Sequence, residues 1–127
     1  MSATKYIKID GKFPMHRGGY LNSPSIAYET WGVDYDGNNA ILIFTGLSPS
    51  AHASSSPEDS TSGWWEDMIG SGLPLDTDRF FIICINSLGS CFGSTGPASM
   101  NPDTNRQYRL DFPVLSLEDV AKGGYEV

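Results

Sequence analysis

Two short stretches of this sequence place a side chain capable of nucleophilic attack inside a tight, glycine-marked turn just past an apolar run. The first is Gly46-Leu47-Ser48-Pro49-Ser50, directly after Ala40-Ile41-Leu42-Ile43-Phe44. The second is Gly89-Ser90-Cys91-Phe92-Gly93, just past Phe80-Phe81-Ile82-Ile83-Cys84-Ile85-Asn86. Both imitate the G-x-nucleophile-x-G turn between a buried strand and a helix, from which a serine or a thiolate attacks an acyl carbon. Ser48 fails on local sterics. Such a turn uses the backbone N–H of the residue after the nucleophile, Pro49 has none, and no helical pattern follows. Cys91 has the better spacing, but the elbow must feed into a helix and residues 94–102 are a Gly/Pro-rich loop. A small buried cysteine in a tight loop is the preferred reading of Cys91.

The segment Thr45 to His52 has a second possible use. A loop after a buried strand can offer a backbone N–H, here at Leu47 or nearby, to the negative oxygen of a tetrahedral acyl intermediate; one such donor is worth about 3 kcal/mol. The alternative is a solvated connecting loop. Asp76-Thr77-Asp78-Arg79 offers paired carboxylates, but its place before an apolar run favours a turn with a charged rim. Trp64-Trp65 either lines a substrate entrance or packs beside a short helix. Arg79, Arg106 and Arg109 are candidates for phosphate contacts, with surface solubility as the alternative. His16 and His52 are the only histidines and Cys84 and Cys91 the only cysteines. None has metal-ligand spacing, so no metal site is expected and both thiols are read as reduced.

These groups need a frame, and 127 residues with 39% hydrophobic content suffice for one domain with a modest core. A net charge of −7 argues against nucleic acid or an anionic membrane as the main partner. The apolar runs are too short to span a bilayer and the N-terminus lacks an apolar signal core, which points to a cytoplasmic protein. Residues 1–24 read as one or two edge strands. Ser25 to Trp31 alternates as a half-buried strand does, and Asp34 to Asn39 has turn chemistry. The runs 40–44 and 80–86 are continuous rather than alternating, the signature of parallel strands covered on both faces. A short helix is expected around residues 63–70, and a long segment from Ser87 to Pro113 has the length of a functional loop. Ser116 followed by Asp119 announces a helix whose Gly123-Gly124 makes it dependent on packing. Two buried strands joined by a crossover give an α/β fold class.

From about Tyr28 to Glu126 the sequence resembles the homoserine O-acetyltransferase family and its serine O-acyltransferase relatives. The resemblance is carried by Ala27 to Gly32, Asn39 to His52, Gly63-Trp64-Trp65, Ile69 to Gly72, Asp76 to Phe80, Asn86 to Cys91, Gly93 to Ser99, Asn101-Pro102 and Tyr108 to Pro113, all in family order. It implies the N-terminal part of an α/β-hydrolase fold, a mostly parallel sheet with crossover helices, incomplete in residues 1–127. It further implies transfer of an acetyl or succinyl group from acyl-CoA, a co-substrate rather than a bound cofactor, to the hydroxyl of L-serine or L-homoserine. The transfer passes through an acyl-serine and needs no metal. The family's nucleophilic serine follows the helix that starts near Ser116, and its Asp and His come later, so the chain is expected to stop before the nucleophile elbow. A homodimer is expected at full length.

What carries over is the family loop H-A-L-T-G-S-S-H, here Thr45-Gly46-Leu47-Ser48-Pro49-Ser50-Ala51-His52. Leu47 takes the backbone-donor role, and Gly46, Leu47, Ser48 and Pro49, which depart from A-L-T-G, resemble the branch that acylates L-serine. No side chain is assigned to acyl-CoA. An esterase on the same fold and an inactive truncated product remain as alternatives. Residues 1–127 made alone are expected to associate through uncovered strand edges.

Overall fold

The computed structural model describes residues 2–127. Its strands are β1 (Lys5–Lys8), β2 (Lys12–Pro14), β3 (Tyr20–Asn22), β4 (Ser25–Gly32), β5 (Ala40–Phe44), β6 (Ile69–Gly70), β7 (Leu75–Asp76), β8 (Phe81–Ile85), β9 (Met100–Asn101) and β10 (Arg106–Gln107), followed by one helix, α1 (Leu117–Glu126). The main sheet has the order β1-β4-β8-β5. By contacts the chain divides into two compact units, the residues up to Lys5 with Tyr28–Ile85, and Tyr6–Ala27 with Asn86–Val127.

In the first unit β8 is central. It pairs antiparallel with β4, from Tyr28 opposite Ile85 to Gly32 opposite Phe81, and parallel with β5, from Ala40 opposite Phe81 to Phe44 opposite Ile85. The core gathers Trp31, Ile43, Ile69, Ile82 and Cys84. The expected two-sided burial is approached in β8, where Ile82, Cys84 and Ile85 are buried and Phe81 and Ile83 half-buried, but not in β5: Ile43 is buried while Leu42 and Phe44 are 38% and 42% exposed. An unbroken apolar run therefore marks a strand with two apolar faces, of which only one is covered here.

The connection from β5 to β8 carries no helix among the described residues. Where a helix was expected around residues 63–70 there is a turn, closed by the Met68 N–H on the Trp65 carbonyl at 2.9 Å, that leads into β6. β6 and β7 then pair in parallel over two residues. β4 ends on Gly32 at φ +92°, where an added Cβ would stand 2.1 Å from the Phe80 carbonyl oxygen, so only glycine fits. The expected turn at Asp34 to Asn39 is present: Asp36 N–H donates to Asn39 Oδ1 at 2.9 Å and Asn38 N–H to Asp36 Oδ1 at 2.8 Å.

The second unit holds two hairpins, β2 with β3 and β9 with β10, and α1. The long segment after Ser87 is thus structured, containing the β9–β10 hairpin and a 3-10 turn at Arg109–Asp111. Helix α1 starts at Ser116 with a complete capping box: the Ser116 hydroxyl accepts from the Asp119 N–H and the Asp119 carboxylate from the Ser116 N–H. Asp119 is buried and also accepts the His16 N–H at 2.7 Å. Burial opposes its charge, but the His16 and Ser116 N–H groups and the Ser116 hydroxyl outweigh it and hold the carboxyl below its ordinary range. At Gly123 the helix packs closely, an added Cβ lying 3.3 Å from Ile26 Cδ1. Among the described residues no helix is long and apolar enough to cross a membrane.

Candidate active site

The loop after β5 leaves the sheet at the carboxyl end of a parallel strand pair, where open α/β sheets place their ligands. Its tip is bare. Leu47 is fully exposed, Ser48 is exposed, and an added Cβ on Gly46 would meet nothing within 4 Å. The returning limb is fixed instead. Ala51 and Ala53 are buried, the Trp64 indole N–H donates to the Ser50 carbonyl at 2.8 Å, and the Trp65 N–H donates to the Ala53 carbonyl at 2.7 Å. The Trp64 and Trp65 rings stack at 5.3 Å with each about two-fifths exposed, so Trp64 anchors the loop through its indole while presenting part of its face to solvent.

At the end of this limb stands a pair that sequence reading passed over. The His52 Nδ1 lies 2.9 Å from Glu29 Oε2 and its Nε2 lies 2.9 Å from the Thr61 carbonyl oxygen. Asp59 Oδ2 is 4.0 Å from Nδ1. Glu29 is 4% exposed in the middle of β4. Burial lowers the affinity of His52 for its proton, but hydrogen bonds to Glu29 and the Thr61 carbonyl and the charges of Glu29 and Asp59 outweigh it, so its pKa is raised above the ordinary 6.5. The available signal was the alternation of β4, which puts Glu29 on the same face as buried Trp31; a carboxylate there demands a partner.

A second carboxylate closes the segment that faces the loop. Glu66 accepts the Gly63 N–H at 2.7 Å, the Ser55 N–H at 2.9 Å and the Ser55 hydroxyl. Those donors, the Ser55 hydroxyl first, hold its pKa at about 2. The Glu66 side chain thereby ties the tryptophan turn to the loop at Ser55. Asp76 to Arg79 is the charged turn anticipated before β8: Asp76 Oδ1 accepts the Asp78 and Gly72 N–H groups at 2.9 and 3.1 Å.

The two nucleophile look-alikes are not brought into any such arrangement. Neither Ser48 nor Cys91 leads into a helix. Cys91 is exposed, which corrects the expectation of a buried thiol: glycines at φ +86° and +108° on either side carry the chain round an outward turn. Cys84 is the buried cysteine, its thiol pushed up to about 12 by burial and by nearby Glu29. Arg79 lies over the Phe80 ring at 5.2 Å, and Arg109 Nε donates to Gln107 Oε1 at 3.3 Å. Among the described residues no cluster of three His, Cys, Asp or Glu is arranged to hold a metal.

No protein-family model matches the chain. Over 93% of its length it is 64% identical to a serine O-succinyltransferase of Litchfieldella anticariensis, and over 98% it is 55% identical to a serine O-succinyltransferase of Stenotrophomonas maltophilia. It covers 32% and 34% of those proteins, so the chain spans about a third of the length of the curated relatives it matches. Among solved structures, the homoserine O-acetyltransferase from Bacillus anthracis superposes with a TM-score of 0.84 at 33% identity, over 99% of this chain and 36% of that one. Esterase E22 superposes with a TM-score of 0.84 at 31% identity, over 97% and 36%. The resemblance carried by the ordered motifs is borne out, and the fold is that of the α/β-hydrolases, of which these residues form a part.

Proposed function

We propose that these residues are the N-terminal part of a single-domain cytoplasmic acyl-CoA-dependent O-acyltransferase that carries a succinyl or acetyl group to the hydroxyl of L-serine or L-homoserine. The observation that carries this reading is the 64% identity to a serine O-succinyltransferase across nearly the whole chain. That relative favours L-serine as acceptor and succinyl-CoA as donor, in agreement with the Gly46-Leu47-Ser48-Pro49 form of the loop. The full polypeptide acts as a homodimer, and its nucleophilic serine, aspartate and histidine lie outside residues 1–127.

In this reading a serine oxygen adds to the thioester carbonyl, the carbonyl oxygen takes the negative charge, and the intermediate collapses with loss of the CoA thiol. The acceptor hydroxyl then displaces the serine from the acyl-enzyme. Residues 45–52 contribute the Leu47 N–H to the charged oxygen. A rigid base and an open tip suit that task, because the donor must be placed before the charge develops.

The test is to incubate a polypeptide of the relatives' length containing this sequence with succinyl-CoA or acetyl-CoA, with and without each amino acid. Thiol release that requires L-serine or L-homoserine is expected. Release indifferent to the acceptor would sink the transferase reading in favour of an esterase, the activity that esterase E22 keeps in view. Leu47→Pro, which deletes the N–H, should lower kcat by about 10²–10³-fold, while Leu47→Ala, which keeps it, should leave kcat within a few fold.

A further inference from the structure

Each ring nitrogen of His52 faces a group that can only accept. Nδ1 faces the Glu29 carboxylate and Nε2 the Thr61 carbonyl oxygen, both at 2.9 Å. The Thr61 hydroxyl, 3.1 Å from Nε2, already donates to Asp59 Oδ1 at 2.7 Å and so also meets the ring as an acceptor. A neutral imidazole has one N–H and leaves one of these contacts as lone pair against lone pair; the imidazolium satisfies all of them. Repairing the contact without the second proton requires the Thr61 hydroxyl to leave Asp59. The charged groups around the ring are Glu29 on β4 and Asp59 in the loop before the tryptophans, both carboxylates. The thiol of Cys84 on β8, near Glu29, stays neutral until about pH 12. The remaining Glu29 oxygen accepts from the Thr4 hydroxyl at 3.4 Å.

His52 stands at the foot of the loop that carries Leu47. The His52 N–H donates to the Ser50 hydroxyl at 3.2 Å, its carbonyl accepts the Trp64 N–H at 3.4 Å, and the flanking Ala51 and Ala53 are buried. Its ring thus ties the returning limb of residues 45–52 in two directions, to β4 and to residues 59–61. We propose that His52, as an imidazolium bridging Glu29 and Thr61, is a positioning residue that holds the Leu47 N–H in its oxyanion-binding place and releases it on deprotonation. The assignment of what is positioned rests on the acyl-transfer reading; the clamp itself does not. Because the pKa of His52 is raised, the clamp is intact below the ordinary 6.5 and is lost as pH rises through the higher folded-state value.

Two readouts test it in a polypeptide of the relatives' length. Side-chain NMR of His52 should show a midpoint above the ordinary 6.5, and the Leu47 backbone amide should titrate with the same midpoint. The kcat for acyl transfer should fall on the alkaline side with that midpoint, by about 10²-fold, with KM little changed. Glu29→Gln should move the His52 midpoint and the alkaline limb together to lower pH by about one unit. Asp59→Asn, at a half-exposed position, should move both in the same direction by less, and it carries the test if Glu29→Gln does not fold. A His52 midpoint at or below 6.5, a Leu47 amide indifferent to His52, or a kcat limb that stays put while the His52 midpoint moves would each overturn the proposal. If no acyl transfer is found under any condition, the functional reading falls, while the shared His52 and Leu47 titration still decides the clamp.

Discussion

Gly63 stands where residues 53 and 54 pass the tryptophan turn, and replacing it by alanine is a sharp probe of how rigid the base of the loop is. An ideal Cβ on Gly63 would lie 2.2 Å from the Ala53 carbonyl carbon and the Ser54 nitrogen, and 2.3 Å from the Ala53 oxygen. Non-bonded carbons settle at about 3.5–4.0 Å, so one backbone must withdraw by roughly 1 Å. Neither is free to do so: Ala53 is buried and takes the Trp65 N–H at 2.7 Å, while Gly63 donates to Glu66 at 2.7 Å. The clash is with main chain rather than with a side chain that can turn aside, which puts the cost at the upper end of overpacking, about 3 kcal/mol. Gly46→Ala is the matched control, since its Cβ would meet nothing and its cost should stay within about 0.5 kcal/mol. Urea unfolding of a polypeptide of the relatives' length, followed by tryptophan fluorescence, measures both. The expected result is a lower midpoint for Gly63→Ala at unchanged slope. A loss below about 1 kcal/mol, or equal losses for the two variants, would show that the base of the loop yields and refute the reasoning.

Other outcomes follow from single contacts. Glu66 has a depressed pKa, so its share of stability is fully present above 4.5 and is lost as pH falls through about 2; Glu66→Gln should flatten the acid dependence of tryptophan fluorescence over that window. Ser116→Ala removes the cap of α1 and should cost about 1 kcal/mol by denaturant unfolding, whereas Ser116→Thr, which keeps the hydroxyl, should cost less. Iodoacetamide should alkylate exposed Cys91 in the native protein and spare Cys84 until unfolding, as read by mass spectrometry of the peptides.

The parts of the fold legible in the sequence were those decided within a few residues. Ser116 and Asp119 meet across one helical turn, and Asp34 to Asn39 close their own turn, so residue type alone specifies both. Features decided by distant chain were harder to read. The run Ala40 to Phe44 reports two apolar faces but not whether both are covered, which depends on what packs there. Gly63 to Gly70 has helical residues, yet the chain turns at Trp65 to Met68 and passes into β6, whose partner β7 lies further along the chain. The loop was found through the ordered motifs around Leu47. The Glu29 and His52 pair joins residues on β4 and on the loop, and only the wrong-side carboxylate of an alternating strand hinted at it.

The placement of β8 between β4 and β5 also has a kinetic side. Both partners precede it in the chain, and Tyr28 must wait for Ile85, and Ala40 for Phe81, before either strand finds its neighbour. Contacts so far apart in sequence form slowly. At synthesis rates of about 5–20 residues per second, β4 and β5 spend seconds as unpaired apolar segments while the connection between them and β8 is still being made. Substitutions that make Leu42 or Phe44 stickier should therefore first reduce the yield of soluble protein during expression, before any change in the finished molecule can be measured.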